Sequence, residues 1–391
     1  MTFVRKAAIV GIGQTEFSKD SGRTELRMAV EATHAALAEA GLEPKDVDGI
    51  TTFSMDHNEE TDVAGNVGTS PLRFFSRVEY GGGAACAVVQ QAALAVTSGL
   101  ADVVVAYRSL NGRSWQRLGG GGVTGWGTSP RADVVRYSWY VPFGLATPAG
   151  WVAIRARRYM HSSGATSEDF GRVTVADRKH GANNPHAFFY NKPITLEEHQ
   201  ASRWIVEPLR LLDCCQESDG AVAVVVTSVE RARDLKQKPA VIAAASQGAA
   251  PGQATVTNYY HDDITTMPEV QLMGDELWKQ SGVGPEDIKT AILYDHFTPF
   301  VLTQLEELGF CERGEAKEFV RDGHLELGGR LPINTNGGQL AEAYIHGMNG
   351  IAEGVRQIRG TSVNQVADAE HVLVTAGTGV PTSGLILELG S

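Results

Sequence analysis

An α/β fold with helices covering mixed sheets follows from three observations in this chain of 391 residues. Runs of small and β-branched residues alternate with helical stretches, as strands and helices do in such folds. A helix-to-strand turn occurs twice, with an offset of 241 from Gly41 to Gly282. A long segment rich in Gly, Trp and Tyr interrupts the first half.

Taken in order, Ala7-Ala8-Ile9-Val10 reads as a first core strand rather than part of a secretory signal, which favours a cytoplasmic location. Ala40-Gly41-Leu42-Glu43-Pro44-Lys45-Asp46-Val47 then closes an amphipathic helix and precedes a buried strand. A helix is expected from about Gly83 to Gly99, rich in small residues such as Ala84, Ala85, Ala87, Ala92, Ala93 and Ala95 and suited to burial. The strand Ala101 to Val105 follows it, and Ala221 to Val226 supplies another. The second half opens on Ala240-Val241-Ile242-Ala243 and repeats the turn as Ser281-Gly282-Val283-Gly284-Pro285-Glu286-Asp287-Ile288. By the same offset, the counterpart of Tyr294 in the first half is Phe53.

More than a hundred residues separate the strand near Val103 from that at Ala221, a length typical of a lid or binding element. Gly119 to Gly122 suit a hinge better than a phosphate loop, because no Gly-Lys-Ser sequence accompanies them. Trp115, Trp126, Trp139 and Tyr140 either line an apolar pocket or pack the lid.

At 42% hydrophobic and 20% charged residues the chain can bury a large core, and no apolar run reaches the roughly 20 residues of a membrane span. A net charge of −12 argues against nucleic acid, which demands a basic footprint. Any anionic ligand therefore needs a local cationic patch, from Arg108, Arg113 and Arg117, from Arg155, Arg157 and Arg158, or from a partner protein, and the sequence does not choose among these. Four cysteines without metal-ligand spacing imply no metal site, and Cys86, Cys214 and Cys215 read as packing residues.

Several motifs resemble the thiolase superfamily, most closely its sterol carrier protein x branch. Asp213-Cys214-Cys215-Gln216-Glu217-Ser218-Asp219-Gly220-Ala221 is similar to that branch's Asp-Cys-Cys-x-x-Ser-Asp-Gly-Ala segment. Ala376-Gly377-Thr378-Gly379 lies where thiolases carry Cys-x-Gly-Gly-Gly. Tyr294, in Leu293-Tyr294-Asp295-His296-Phe297, and Tyr344, after Gly337-Gly338-Gln339-Leu340-Ala341-Glu342-Ala343, stand where the family usually holds an Asn or His and a catalytic His. Counting back from Gly99 by the family's spacing places the nucleophile position at about Gly82, and the second thiolase cysteine falls near Thr375. Without a thiol and its acid partner, thiolysis and Claisen condensation lose their route.

The resemblance implies a duplicated, five-layered α-β-α-β-α fold. Its halves would be residues 1–239, with a loop domain at about 107–215 over the substrate tunnel, and residues 240–391, carrying both tyrosine loops. The tyrosine loops are similar to those of lipid-transfer-protein aldolases of actinobacterial steroid side-chain degradation. That likeness implies retro-aldol cleavage of a 17-hydroxy-steroid C20 carboxyl-CoA thioester to a 17-ketosteroid and propionyl-CoA. A thioester is its own electron sink, so hydrogen-bond donors and a base suffice without metal or Schiff base.

Tyr294 and Tyr344 are the expected catalytic pair, supported by Asp295, His296, Asn336 and His346, with Gly82, Gly83 and Gly377 against the substrate. The resemblance also implies a homodimer and a separate OB-fold partner with a zinc ribbon, any zinc being the partner's. No cofactor is expected in this chain, since coenzyme A arrives within the substrate. A degenerate thiolase using Cys86 and a non-catalytic acyl-CoA carrier are the alternatives.

Overall fold

The computed structural model describes residues 3–115, 117, 138–253, 259 and 261–390. The Gly119 to Gly122 run and Trp126 lie outside the described residues. The first half contains β1 (Ala7–Gln14), α1 (Glu25–Ala40), β2 (Gly49–Phe53), α2 (Glu60–Val67), β3 (Phe74–Val78), α3 (Ala85–Thr97) and β4 (Val103–Asn111). There follow α4 (Pro148–Ser163), α5 (Ser167–Asn183), α6 (Leu196–Ala201), the short pair β5 (Trp204–Val206) and β6 (Leu209–Arg210), β7 (Asp219–Ser228) and α7 (Val229–Ala232). The second half contains β8 (Ala240–Gly248), α8 (Pro268–Ser281), β9 (Thr290–Ile292), α9 (Thr298–Glu307), α10 (Ala316–Arg321), α11 (Met348–Arg359), β10 (His371–Ala376) and β11 (Thr382–Leu389). No helix among the described residues is long and apolar enough to cross a membrane.

The strands follow the order β3-β2-β4-β7-β1-β8-β11-β10-β9. At the centre β1 and β8 pair antiparallel through only Ala8 with Val241 and Ile9 with Ala240, so two half-sheets meet along a short seam. The repeat is visible in detail. Gly41 and Gly282 both end their helices at φ 76°, which an L side chain rarely adopts, and Pro44–Asp46 and Pro285–Asp287 form matching 3-10 turns.

Both faces of the long strands are buried, which is why they read as continuous apolar runs rather than alternating ones. On β1, Ala7 and Ile9 face the central layer while Ala8 and Val10 face outward under α1. Val104 and Ala106 of β4, and Val372 and Val374 of β10, face the same central layer. There α3 packs against β2, β4 and β7 on one side and β8 and β11 on the other, with α11 beside it. The outer layers are α1 and α2 on the first half-sheet and α8 to α10 on the second, giving five layers.

Small residues let these layers approach closely. A Cβ on Gly350 or Gly354 of α11 would meet Ile292 at 2.8 Å or Val374 at 2.7 Å. Across the sheet, one on Gly11 of β1 would lie 2.2 Å from the Ala36 carbonyl oxygen of α1. Gly11→Ala is therefore expected to lower stability by about 1–3 kcal/mol through overpacking. Gly65→Ala in α2, where a Cβ meets nothing within 4 Å, should be neutral or stabilising. Denaturant midpoints of the two variants check this.

Candidate active site

Tyr294 leaves the end of β9 in a turn fastened on both sides. Its N–H donates to Thr375 Oγ1 at 2.9 Å, its carbonyl accepts from Gln304 Nε2 at 2.9 Å, and the Thr375 hydroxyl donates to Gln304 Oε1 at 2.7 Å. The residue at the second-cysteine position thus anchors a tyrosine. Tyr294 is 3% exposed, and its hydroxyl lies 3.3 Å from that of Tyr344. The Tyr344 N–H donates to Ser218 Oγ at 3.2 Å.

Gly82 explains how the inner phenol fits. A Cβ there would lie 1.8 Å from Tyr294 Oη, so the phenol fills the space that a side chain at the thiolase nucleophile position would take. Gly83 and Gly377 serve close backbone approach. A Cβ on Gly83 would meet the Pro381 oxygen at 2.0 Å, and one on Gly377 the Gly83 Cα at 2.5 Å. Cys86 is buried on α3 with its thiol toward the Val374 carbonyl, and burial pushes its pKa up.

Tyr344, His296 and Cys215 line one wall of a cleft of about 450 Å³, while Phe189, Phe297 and Leu340 give it apolar surface. Tyr294 sits behind this wall and meets the cleft's chemistry through Tyr344. Cys214 and Cys215 both line the cleft, and burial pushes both thiols up. Trp115 and Trp139 are exposed and do not contribute.

His296 stacks obliquely on Tyr294, with ring centroids 4.8 Å apart, and its Nδ1 lies 3.4 Å from the Thr378 hydroxyl. Burial pushes its pKa down to about 3, so the imidazole is neutral. Asp295 accepts the N–H groups of Gln339 at 2.9 Å and Leu340 at 3.1 Å, tying the two tyrosine loops together. Asn336 is bonded to Glu342 and accepts from Gly338 N. His346 is 2% exposed and edge-on to Tyr344, ring centroids 5.0 Å apart.

Burial raises the pKa of both phenols, but their mutual hydrogen bond acts in opposite directions, lowering Tyr344 and raising Tyr294. Arg108 also pulls Tyr344 down. Cys215 pushes Tyr344 up as well, so its pKa stays raised overall, but it alone of the two phenols has neighbours that oppose the shift.

The cationic expectation divides. Arg113 and Arg117 line the cleft, joined by Lys19, whose pKa is lowered by burial and by those two arginines. Arg108 does not belong to this patch. It is 1% exposed and paired with Asp56 at 2.9 Å, which corrects its expected place on a ligand-binding surface. Arg155 is buried and donates to the Ile264 carbonyl, and Arg157 pairs with Glu207, so that group does not form the cleft's cationic rim. Sequence reasoning missed Lys19 because it arrives from the β1–α1 loop with no motif around it.

The motif segment 213–219 acts mainly as a fastener. Asp213 accepts from Thr298 Oγ1 at 2.7 Å and bonds His199 Nε2 at 2.9 Å, the Cys215 N–H donates to the His296 carbonyl, and Asp219 accepts the N–H groups of Arg113 and Ser114.

The architecture and this site define a thiolase-type protein whose thiol position has been given over to a phenol. Residues 252–390 match the family of thiolase C-terminal domain-like sequences. The chain is 66% identical to the 17-hydroxy-3-oxo-4-pregnene-20-carboxyl-CoA lyase of Mycobacterium tuberculosis, over 98% of this chain and 99% of the relative. It is also 66% identical to the steroid side-chain-cleaving aldolase of Thermomonospora curvata, over 97% of each chain. A solved structure named Ltp2-ChsH2(DUF35) aldolase superposes with a TM-score of 0.95 at 64% identity, covering 100% of this chain and 99% of that one. The chain belongs to the thiolase superfamily, in the branch of the steroid side-chain-cleaving aldolases.

Gly82→Ala should cost about 1–3 kcal/mol because its methyl collides with the phenol. The penalty should largely vanish in a Tyr294→Ala background, and chemical denaturation of the four proteins of that double-mutant cycle measures the coupling.

Proposed function

We propose that this chain is a cytoplasmic retro-aldolase that cleaves a 17-hydroxy-steroid C20 carboxyl-CoA thioester to a 17-ketosteroid and propionyl-CoA. The observation that carries the reading is the tyrosine pair, hydroxyls 3.3 Å apart, with Tyr344 on the wall of the cleft. The 66% identity to a lyase and an aldolase named for this kind of reaction supports the substrate class.

In this reading ionised Tyr344 takes the proton of the 17-hydroxyl as the C17–C20 bond breaks, leaving a 17-ketone and the enolate of the CoA thioester. Tyr294 donates its hydrogen bond to Tyr344 and stabilises it while ionised. The neutral His296 in the cleft wall serves as a donor to the thioester oxygen, where charge develops. The proton held on Tyr344 is then delivered to the enolate carbon, which completes propionyl-CoA and returns Tyr344 to its ionised state. The buried setting of Cys86 and the phenol beside Gly82 weigh against a degenerate thiolase.

Lys19, Arg113 and Arg117 at the cleft supply a positive rim for the coenzyme A phosphates in a chain of net charge −12. The proposal includes a homodimer and a separate OB-fold partner that holds any zinc, with no cofactor resident in this chain. The compound name of the solved Ltp2-ChsH2(DUF35) aldolase supports a second chain. Strand β3, at the sheet edge with Phe75 63% exposed, offers a surface for pairing two copies.

The test is mass spectrometry of a 17-hydroxy-steroid C20 carboxyl-CoA incubated with the chain, with and without an OB-fold partner. Propionyl-CoA and a 17-ketosteroid are expected, and unchanged substrate in both would overturn the reading. Tyr344→Phe and Tyr294→Phe should each lower kcat on the order of 100-fold to 1000-fold with the fold intact. Arg113→Gln combined with Arg117→Gln should instead raise KM for the CoA thioester, with little effect on a phosphate-free thioester of the same acid.

A further inference from the structure

His346 follows Tyr344 by two residues and holds a left-handed backbone at φ 52°. Its Nδ1 receives the Nε–H of Arg108 at 3.1 Å. Arg108 cannot turn away, because its guanidinium also pairs with Asp56 at 2.9 Å and donates to the Ser109 carbonyl at 2.5 Å. Asp56 is held in turn by Ser109 N, by the backbone N–H and side-chain amide of Asn58, and by the Tyr107 hydroxyl at 3.3 Å.

A guanidinium offers only N–H donors and no acceptor. The Nδ1 that meets it must therefore be bare, and the single proton of a neutral imidazole must lie on Nε2. A second proton, on Nδ1, would point at the Arg108 N–H and lose the contact.

We propose that Arg108 is a positioning residue for the tyrosine pair: it locks His346 as the neutral Nε2–H tautomer, so that the imidazole beside Tyr344 neither titrates nor competes for the substrate's proton. The consequence rests on Tyr344 as the proton acceptor, while the tautomer itself does not. The groups facing His346 act in concert. Burial, Arg108 on β4, His296 after β9 and His57 after β2 all push it well below the ordinary imidazole range. Asp56 is engaged by Arg108, and His57 is bonded to Glu25 at 2.6 Å.

In Arg108→Gln the facing charge is gone and Asp56 is left uncompensated nearby, so His346 gains the ability to protonate as pH falls. Beyond the dependence on Tyr344 ionisation that the unaltered enzyme also shows, its kcat–pH profile should acquire an added inflection on the acid side of the ordinary histidine value of about 6.5, because the burial that lowers His346 most remains. Arg108→Lys keeps the charge and should show no added inflection, even at reduced turnover. The absence of the added inflection in Arg108→Gln would overturn the proposal.

The unaltered protein gives a second test that needs neither substrate nor the variant's folding. In 15N-histidine NMR the His346 signal, assigned by its loss in His346→Gln, should show a bare Nδ1 and a protonated Nε2 from about pH 5 to 8. A proton on Nδ1, or titration within that range, sinks the inference even if lyase activity is present. The expected tautomer in a protein that leaves the thioester uncleaved would instead count against the proposed function alone.

Discussion

The site depends on one steric fact: the phenol of Tyr294 occupies the space beside Gly82 where any side chain would collide with it. A thiol and this phenol cannot both be present. Once the phenol is in, the nearby groups serve it. Thr375 and Gln304 hold its backbone, Gly347 lies against its ring, and its hydroxyl meets Tyr344. The same α3 terminus that could present a nucleophile instead presents a glycine-lined seat. A pair of buried hydroxyls thereby stands where a thiol nucleophile would need room.

Burial makes both phenols reluctant to ionise, which is costly for a base, and the surroundings offset this unevenly. Tyr294 has its hydroxyl partner in Tyr344, whereas Tyr344 also feels the charge of Arg108 and opens onto the cleft. The asymmetry distinguishes two phenols that the sequence alone leaves equivalent. A fully buried Arg108–Asp56 pair is a poor stability device, since taking both ions out of water costs several kcal/mol each before their attraction is counted. Its geometry, fixed by Ser109, Asn58 and Tyr107, makes better sense as a rigid mount for His346.

Much of the fold was legible because it is periodic. The repeated turn at Gly41 and Gly282 has the same left-handed glycine and the same 3-10 turn in both copies, and the uninterrupted valine runs mark strands buried on two faces. The tyrosines were legible through the motifs around them. What was not legible is partnership across the chain. Arg108 reads like Arg113 in sequence, yet the β4 pleat carries one into the core and the loop after it carries the other to the cleft. Gly82 suggested a lost nucleophile, but only the folded chain shows which side chain fills the gap.

The chain's acidity sharpens what the cleft's cations do. Lys19 and Arg113 come from loops far apart in sequence, and burial first, with Arg113 and Arg117 adding to it, lowers the ammonium pKa of Lys19. Glu217 answers only part of that charge, through its 2.7 Å contact with Arg117. Mutual repulsion of this kind costs stability and is the sort of strain that an anion relieves. In a chain of net charge −12 this local excess of positive charge at the cleft stands against the overall sign.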